Sequence, residues 1–218
     1  MAKQTLTHDA LISSAKEFCA KEHTYSELFG VTDGKAVGTF LEHKFQNYLE
    51  ARYDVAIGSS ASGLDLPMIE TDIKVTSIRQ PQSSCPFRSA RQKVYGLGYH
   101  LLLFVYDKQD NQKRKTAKLT FVNCAFIDKN RTADFPTTRG ILEILERNGN
   151  HDDVFAFLND RLLPGGEVGL NVLADEIMER HPNLGYWGYL NISSALLKVL
   201  YYSRSTTRDV MSGVTQVM

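Results

Sequence analysis

Three acid-x-Lys triplets stand in the chain: Asp33-Gly34-Lys35, Glu42-His43-Lys44 and Asp72-Ile73-Lys74. Such triplets also arise by chance, so the setting decides which of them can do chemistry. Alternating residue types make residues 72–78 a strand, with Asp72, Lys74 and Thr76 on one face and Ile73, Val75 and Ser77 on the other. A second carboxylate, Asp65, lies just upstream across a hairpin. With Met68 and Ile69 as its loop, Asp65 faces Asp72 with Cα atoms about 4.5–5.5 Å apart. Carboxylates that close repel unless a cation joins them. Oxygen donors without sulfur or a nearby imidazole select Mg²⁺, with Mn²⁺ as a substitute, over zinc. Glu70 projects to the same face as Asp72 and competes for the second acidic role. The competing reading is structural, with Asp65 capping a turn and Lys74 paired to Asp72.

Several elements must position these groups. Leu11, Ile12, Ala15, Phe18 and Cys19 recur at helical spacing over residues 8–22, and Thr24 with Glu27 resembles a capping box for a short helix ending at Gly30. Thr32 or Asp33 caps a third helix, whose stripe Val37, Phe40, Leu41, Phe45, Tyr48 and Leu49 runs through Glu50. Glu42 borders that stripe. Strands are expected at residues 53–58, 64–67, 72–78, 99–106 and 119–127, with a helix at 88–95 and a charged hairpin loop at 107–118. Beyond Pro136 the pattern turns helical, at 138–147, 152–163, 168–180 and 190–204. The expected class is α/β (α+β), a mixed five-stranded sheet flanked by helices. Residues 1–35 form N-terminal helices, 36–135 a core, and 136–218 a helical region that packs separately or as one domain with the core.

The order of a helix with Glu42, a strand with Asp65, a strand with Asp72-Ile73-Lys74, a crossover helix and an apolar strand resembles the PD-(D/E)XK nuclease core. The runs Gly63-Leu64-Asp65-Leu66-Pro67 and Thr71-Asp72-Ile73-Lys74-Val75-Thr76-Ser77 are most similar to a type II restriction endonuclease. The resemblance spans residues 36–127 and implies the αβββαββ core of that superfamily. Two departures stand out: Pro67 follows the first acid instead of preceding it, and Glu70 lies two residues from Asp72. The resemblance implies that Asp65, Asp72 and the backbone carbonyl of Ile73 hold the metal. It further implies that Lys74 orients or deprotonates water and that Glu42 assists from the helix, as catalytic group or further ligand, a position Glu70 also contests.

Composition fits this reading. At 218 residues, with 43% hydrophobic and 23% charged, the chain is an ordinary globular protein. Charges at Lys3, Asp9, Lys16 and Glu17 interrupt any N-terminal apolar run, and residues 101–106 are too short to span a bilayer. Three scattered cysteines suit a reducing cytoplasm, and the resemblance makes it a prokaryotic one. Net charge is zero, yet residues 73–139 carry 13 Lys/Arg against 4 Asp/Glu between acidic flanks. That distribution suits a basic groove for DNA or, equally, a solvated face. The stiff, acid-free loop 80–88 offers Gln80, Gln82, Ser83, Ser84 and Arg88, followed on the next helix by Arg91, Gln92 and Lys93. Gln reading adenine and Arg reading guanine is one use, and a plain surface connection is the other. The glycines at 58 and 63 fit neither a phosphate loop nor a nucleophile elbow. The resulting expectation is a Mg²⁺-dependent endodeoxyribonuclease acting on double-stranded DNA as a homodimer, with no membrane partner. A repair or branched-DNA nuclease and a non-catalytic DNA-binding protein are the alternatives.

Overall fold

Side-chain caps open the first two helices. In this computed structural model, which describes residues 3–58, 63–79, 87–185 and 213–218, the Thr7 hydroxyl accepts from Ala10 N–H at the start of α1 (His8–Cys19). Asp33 accepts from the N–H groups of Lys35 and Ala36 and opens α2 (Gly34–Glu50). Val37, Leu41, Phe45 and Leu49 recur every fourth residue and are buried. Phe45 meets Phe18 of α1 at 5.1 Å between ring centroids.

Two short parallel strands, β1 (Gln4–Thr5) and β3 (Tyr53–Asp54), pair with each other. The main sheet contains β2 (His23–Tyr25), β4 (Thr71–Ser77), β5 (His100–Asn111), β6 (Thr116–Ile127) and β7 (Val214–Gln216). Its order is β2-β6-β5-β4. β7 shares with β2 the outer edge of β6, at the opposite end. β4 and β5 run parallel, while β5 and β6 form an antiparallel hairpin. Ile73, Leu102, Phe104, Phe121 and Leu119 join the helix stripes in one core. Cys19 and Cys124 are buried free thiols.

The mixed five-stranded sheet matches expectation, but two of its members differ. Residues 53–58 give only β3, outside the main sheet, and residues 64–67 give a single bridge from Leu66 to Thr71. Pro67 has no N–H to extend that ladder and instead starts a 3-10 turn. Residues 23–25 are a strand where a helix start was expected. Pairing with Ala117–Leu119 overrides the local signal, and Thr24 bonds Glu22 instead of capping a helix. The hairpin loop is also shorter than residues 107–118. Pairing continues to Asn111 and Thr116, and the Asn111 side chain accepts from the N–H groups of Lys113 and Arg114 in the turn.

The described residues fold as two compact units: 3–58, 63–79, 100–127 and 213–218 in the first, 87–99 and 128–185 in the second. The second unit contains α3 (Ala90–Tyr95), α4 (Phe135–Glu146), α5 (His151–Asp160) and α6 (Gly166–Glu179) around Val94, Ile141, Val154, Leu158, Leu173 and Ile177. Asn150 and Asp153 form a reciprocal capping box before α5. The expected helix at 190–204 lies outside the described residues. No described helix is long and apolar enough to cross a membrane.

Candidate active site

The turn between Asp65 and Asp72 is closed by two backbone bonds, Leu66 N–H to Thr71 O at 2.9 Å and Thr71 N–H to Leu66 O at 3.2 Å. Four residues, Pro67 to Glu70, form its loop, instead of Met68 and Ile69 alone. Pro67–Ile69 is a 3-10 turn, and Glu70 closes it in the left-handed region at φ +45°. The Leu66–Thr71 pair keeps the register in which Asp65 stands opposite Asp72.

Asp65 Oδ2 accepts the Ile73 N–H at 2.7 Å. In the described sheet β4 is an edge strand, and this bond covers its outer side. The N–H and C=O of one strand residue point the same way, so the Ile73 carbonyl faces the side from which Asp65 approaches. Lys74 Nζ lies 2.5 Å from Asp72 Oδ2. Glu42 arrives from α2: its carboxyl meets Asp65, and Gln46 Nε2, one turn further along the helix, donates to it at 3.4 Å. Gly38 brings α2 this near, because a Cβ there would sit 3.3 Å from the Val75 carbonyl. Glu42 follows Gly38 by one helical turn.

Burial and neighbouring groups act on two of these carboxyls, Asp72 and Glu42. Asp72 is 6% exposed. Burial, then hydrogen bonding with Asp65, pushes its carboxyl up to about 6 against the pull of Lys74. Burial likewise raises Glu42, offset in part by Asp65 and Lys74. Both shifts mark carboxyls whose negative charge a bound cation would stabilise. Among the described residues no three His, Cys, Asp or Glu side chains are already arranged to hold a metal ion. The donor chemistry nonetheless fits one, with only oxygen ligands and a carboxyl whose charge is costly without a counterion.

Glu70 is exposed at the end of the turn, in the left-handed region at φ +45°, whereas Asp72 is buried. Gln80, Gln82, Ser83 and Ser84 lie outside the described residues. Arg88, Arg91, Gln92 and Lys93 belong to the second unit. There the Arg91 guanidinium is forked onto Glu176 at 2.9 and 2.8 Å, and the Gln92 side chain accepts from Arg88 N–H at 2.7 Å. Tyr95 donates to the Arg180 carbonyl at 2.8 Å and secures α3 to the end of α6. Gln46 was missed at the sequence level, although its spacing of four from Glu42 on one helix was a readable signal.

The family model of the type II restriction enzyme NspV matches residues 5–216. The type II restriction enzyme NspV of Nostoc sp. is 52% identical over 205 residues, covering 93% of this chain and 92% of that protein. No solved structure matches the chain at a significant level.

Proposed function

The chain belongs to the family of the type II restriction enzyme NspV and is a site-specific deoxyribonuclease, and we propose that the acid cluster around Asp72 is where it hydrolyses double-stranded DNA. One observation carries the assignment. Carboxyls from a helix, a turn and a strand meet beside an ammonium group on that same strand. A structural ion pair between Lys74 and Asp72, with Asp65 bonded to the Ile73 N–H, leaves the half-buried Glu42 carboxyl beside them unexplained.

Asp65, Asp72 and the Ile73 carbonyl are the groups that would hold Mg²⁺, or Mn²⁺ in its place, with Glu42 as a further ligand. Such an ion neutralises charge on the scissile phosphate and lowers the cost of generating hydroxide from water. Lys74 orients the attacking water and stabilises negative charge developing on the phosphate oxygens. Its ion pair with Asp72 holds the ammonium in place before DNA arrives. Gln46 keeps the Glu42 carboxyl aimed at Asp65. The burial of Asp72 beside Lys74, against the exposure of Glu70, favours Asp72 as the second acid. The loop at 80–88 and its continuation through Lys93 are proposed to read the duplex. The protein acts as a homodimer in the bacterial cytoplasm.

Lys74→Ala tests the centre. It should abolish plasmid cleavage in Mg²⁺ while binding of a cleavable fragment in Ca²⁺ persists. Retained cleavage by that variant would falsify the assignment, and cutting in EDTA would exclude the metal. Gln82→Ala should relax or weaken sequence discrimination, and an unchanged band pattern removes the loop from recognition.

A further inference from the structure

The turn that sets Asp65 against Asp72 is tied to α1 by a side chain far upstream in the sequence. His8, the first residue of α1, places Nε2 2.9 Å from the Ile69 carbonyl. The Thr71 hydroxyl donates to the same oxygen at 2.8 Å, so the two lone pairs of Ile69 O are both engaged. The next carbonyl, of Glu70, accepts from His100 N–H at 2.7 Å. The rings lock this arrangement laterally. His8 meets His100 edge-on at 4.5 Å and Phe126 at 5.3 Å, while His100 stacks on Phe126 at 5.2 Å. A carbonyl can only accept, so His8 must carry its proton on Nε2.

We propose that His8 is a positioning residue for DNA cleavage, fixing through its bond to Ile69 the turn that holds Asp65 and Asp72 at metal-binding separation. The inference rests on the reading of those two acids as the metal-binding pair. The geometry explains why a remote bond matters. Both acids lie within four residues of Ile69, and the turn between them includes a non-glycine residue in the left-handed region. Anchoring both carbonyls stops the turn from relaxing and carrying the carboxylates apart. His8 touches neither DNA nor metal in this role and acts only through the turn.

Two substitutions separate the donor from the ring. His8→Phe keeps an aromatic face toward His100 and Phe126 but cannot donate, and His8→Gln keeps an N–H donor but no ring. The first should cut plasmid roughly tenfold more slowly, as outer-shell losses do, and should need more Mg²⁺ for half-maximal rate. Its affinity for a cleavable fragment in Ca²⁺ should stay unchanged. The second should recover most of the rate. Wild-type rate and Mg²⁺ requirement in His8→Phe overturn the proposal, as does a slower His8→Gln than His8→Phe, because packing alone would then explain the site. Nitrogen NMR of the unaltered enzyme at pH 8 gives a check that needs no variant. An Nε2–H tautomer for His8 is expected, and an Nδ1–H tautomer defeats the bond. Asp72→Asn is the control: normal cleavage by it sinks the acid cluster itself, while an inactive Asp72→Asn beside a normal His8→Phe sinks only the role of His8.

Discussion

Asp72 carries the largest electrostatic strain at the centre, and its sign can be measured. Its carboxyl is raised from 3.8 to about 6 in the folded protein. Between these values the unfolded chain has released a proton that the folded state still holds. Without metal, ionising Asp72 therefore lowers stability as pH rises from about 4 to 6, and the loss persists above that range. The scale is about 1 to 3 kcal/mol after allowing for screening. In EDTA at pH 8, Asp72→Asn should melt above the unaltered protein and show a flatter profile between pH 4 and 6. Mg²⁺ should raise the melting temperature of the original and leave the variant nearly unmoved. A variant that melts lower in EDTA would mean the carboxyl is not crowded.

At the level of elements, the closeness of α2 to β4 decides whether Glu42 reaches the cluster. Gly38→Val puts a branched side chain where even a Cβ lies 3.3 Å from the Val75 carbonyl. Overpacking of this kind costs about 1–3 kcal/mol. Because Glu42 moves with the helix, cleavage should fall further than the thermal shift explains, which parallel melting and rate measurements would reveal. Much of this geometry was readable in the sequence. The four-residue periodicity of Val37, Leu41, Phe45 and Leu49 marked α2, and alternation around Ile73 put Asp72 and Lys74 together. What escaped detection depended on partners distant in sequence. Residues 23–25 are a strand because β6 offers an open edge, and nothing local to Thr24 encodes that. Residues 107–111 and 116–118 read as loop because they are largely polar and charged, yet a largely solvent-facing ribbon satisfies its backbone through its neighbour and needs little apolar surface. Ile69 gave no sign of its bond to His8, since a carbonyl acceptor is common to every residue.

For the whole molecule, the proposed homodimer would set the centre of each chain against one strand of a twofold-related site. Sedimentation should report twice the 24.5 kDa protomer under cleavage conditions. Mixed dimers of unaltered and Lys74→Ala chains should convert supercoiled plasmid to open circles instead of linear product. A monomeric mass, or linear product from mixed dimers at the rate of the unaltered enzyme, would count against pairing. The outer edge of β6 is covered by segments from far apart in the sequence. Residues 23–25 occupy one end of that edge and residues 214–216 the other, with Val217 buried in the core beneath. Loss of residues 214–218 should therefore uncover the backbone of β6 at Ala125–Ile127 and the core behind Val217, and a lowered melting temperature would register it.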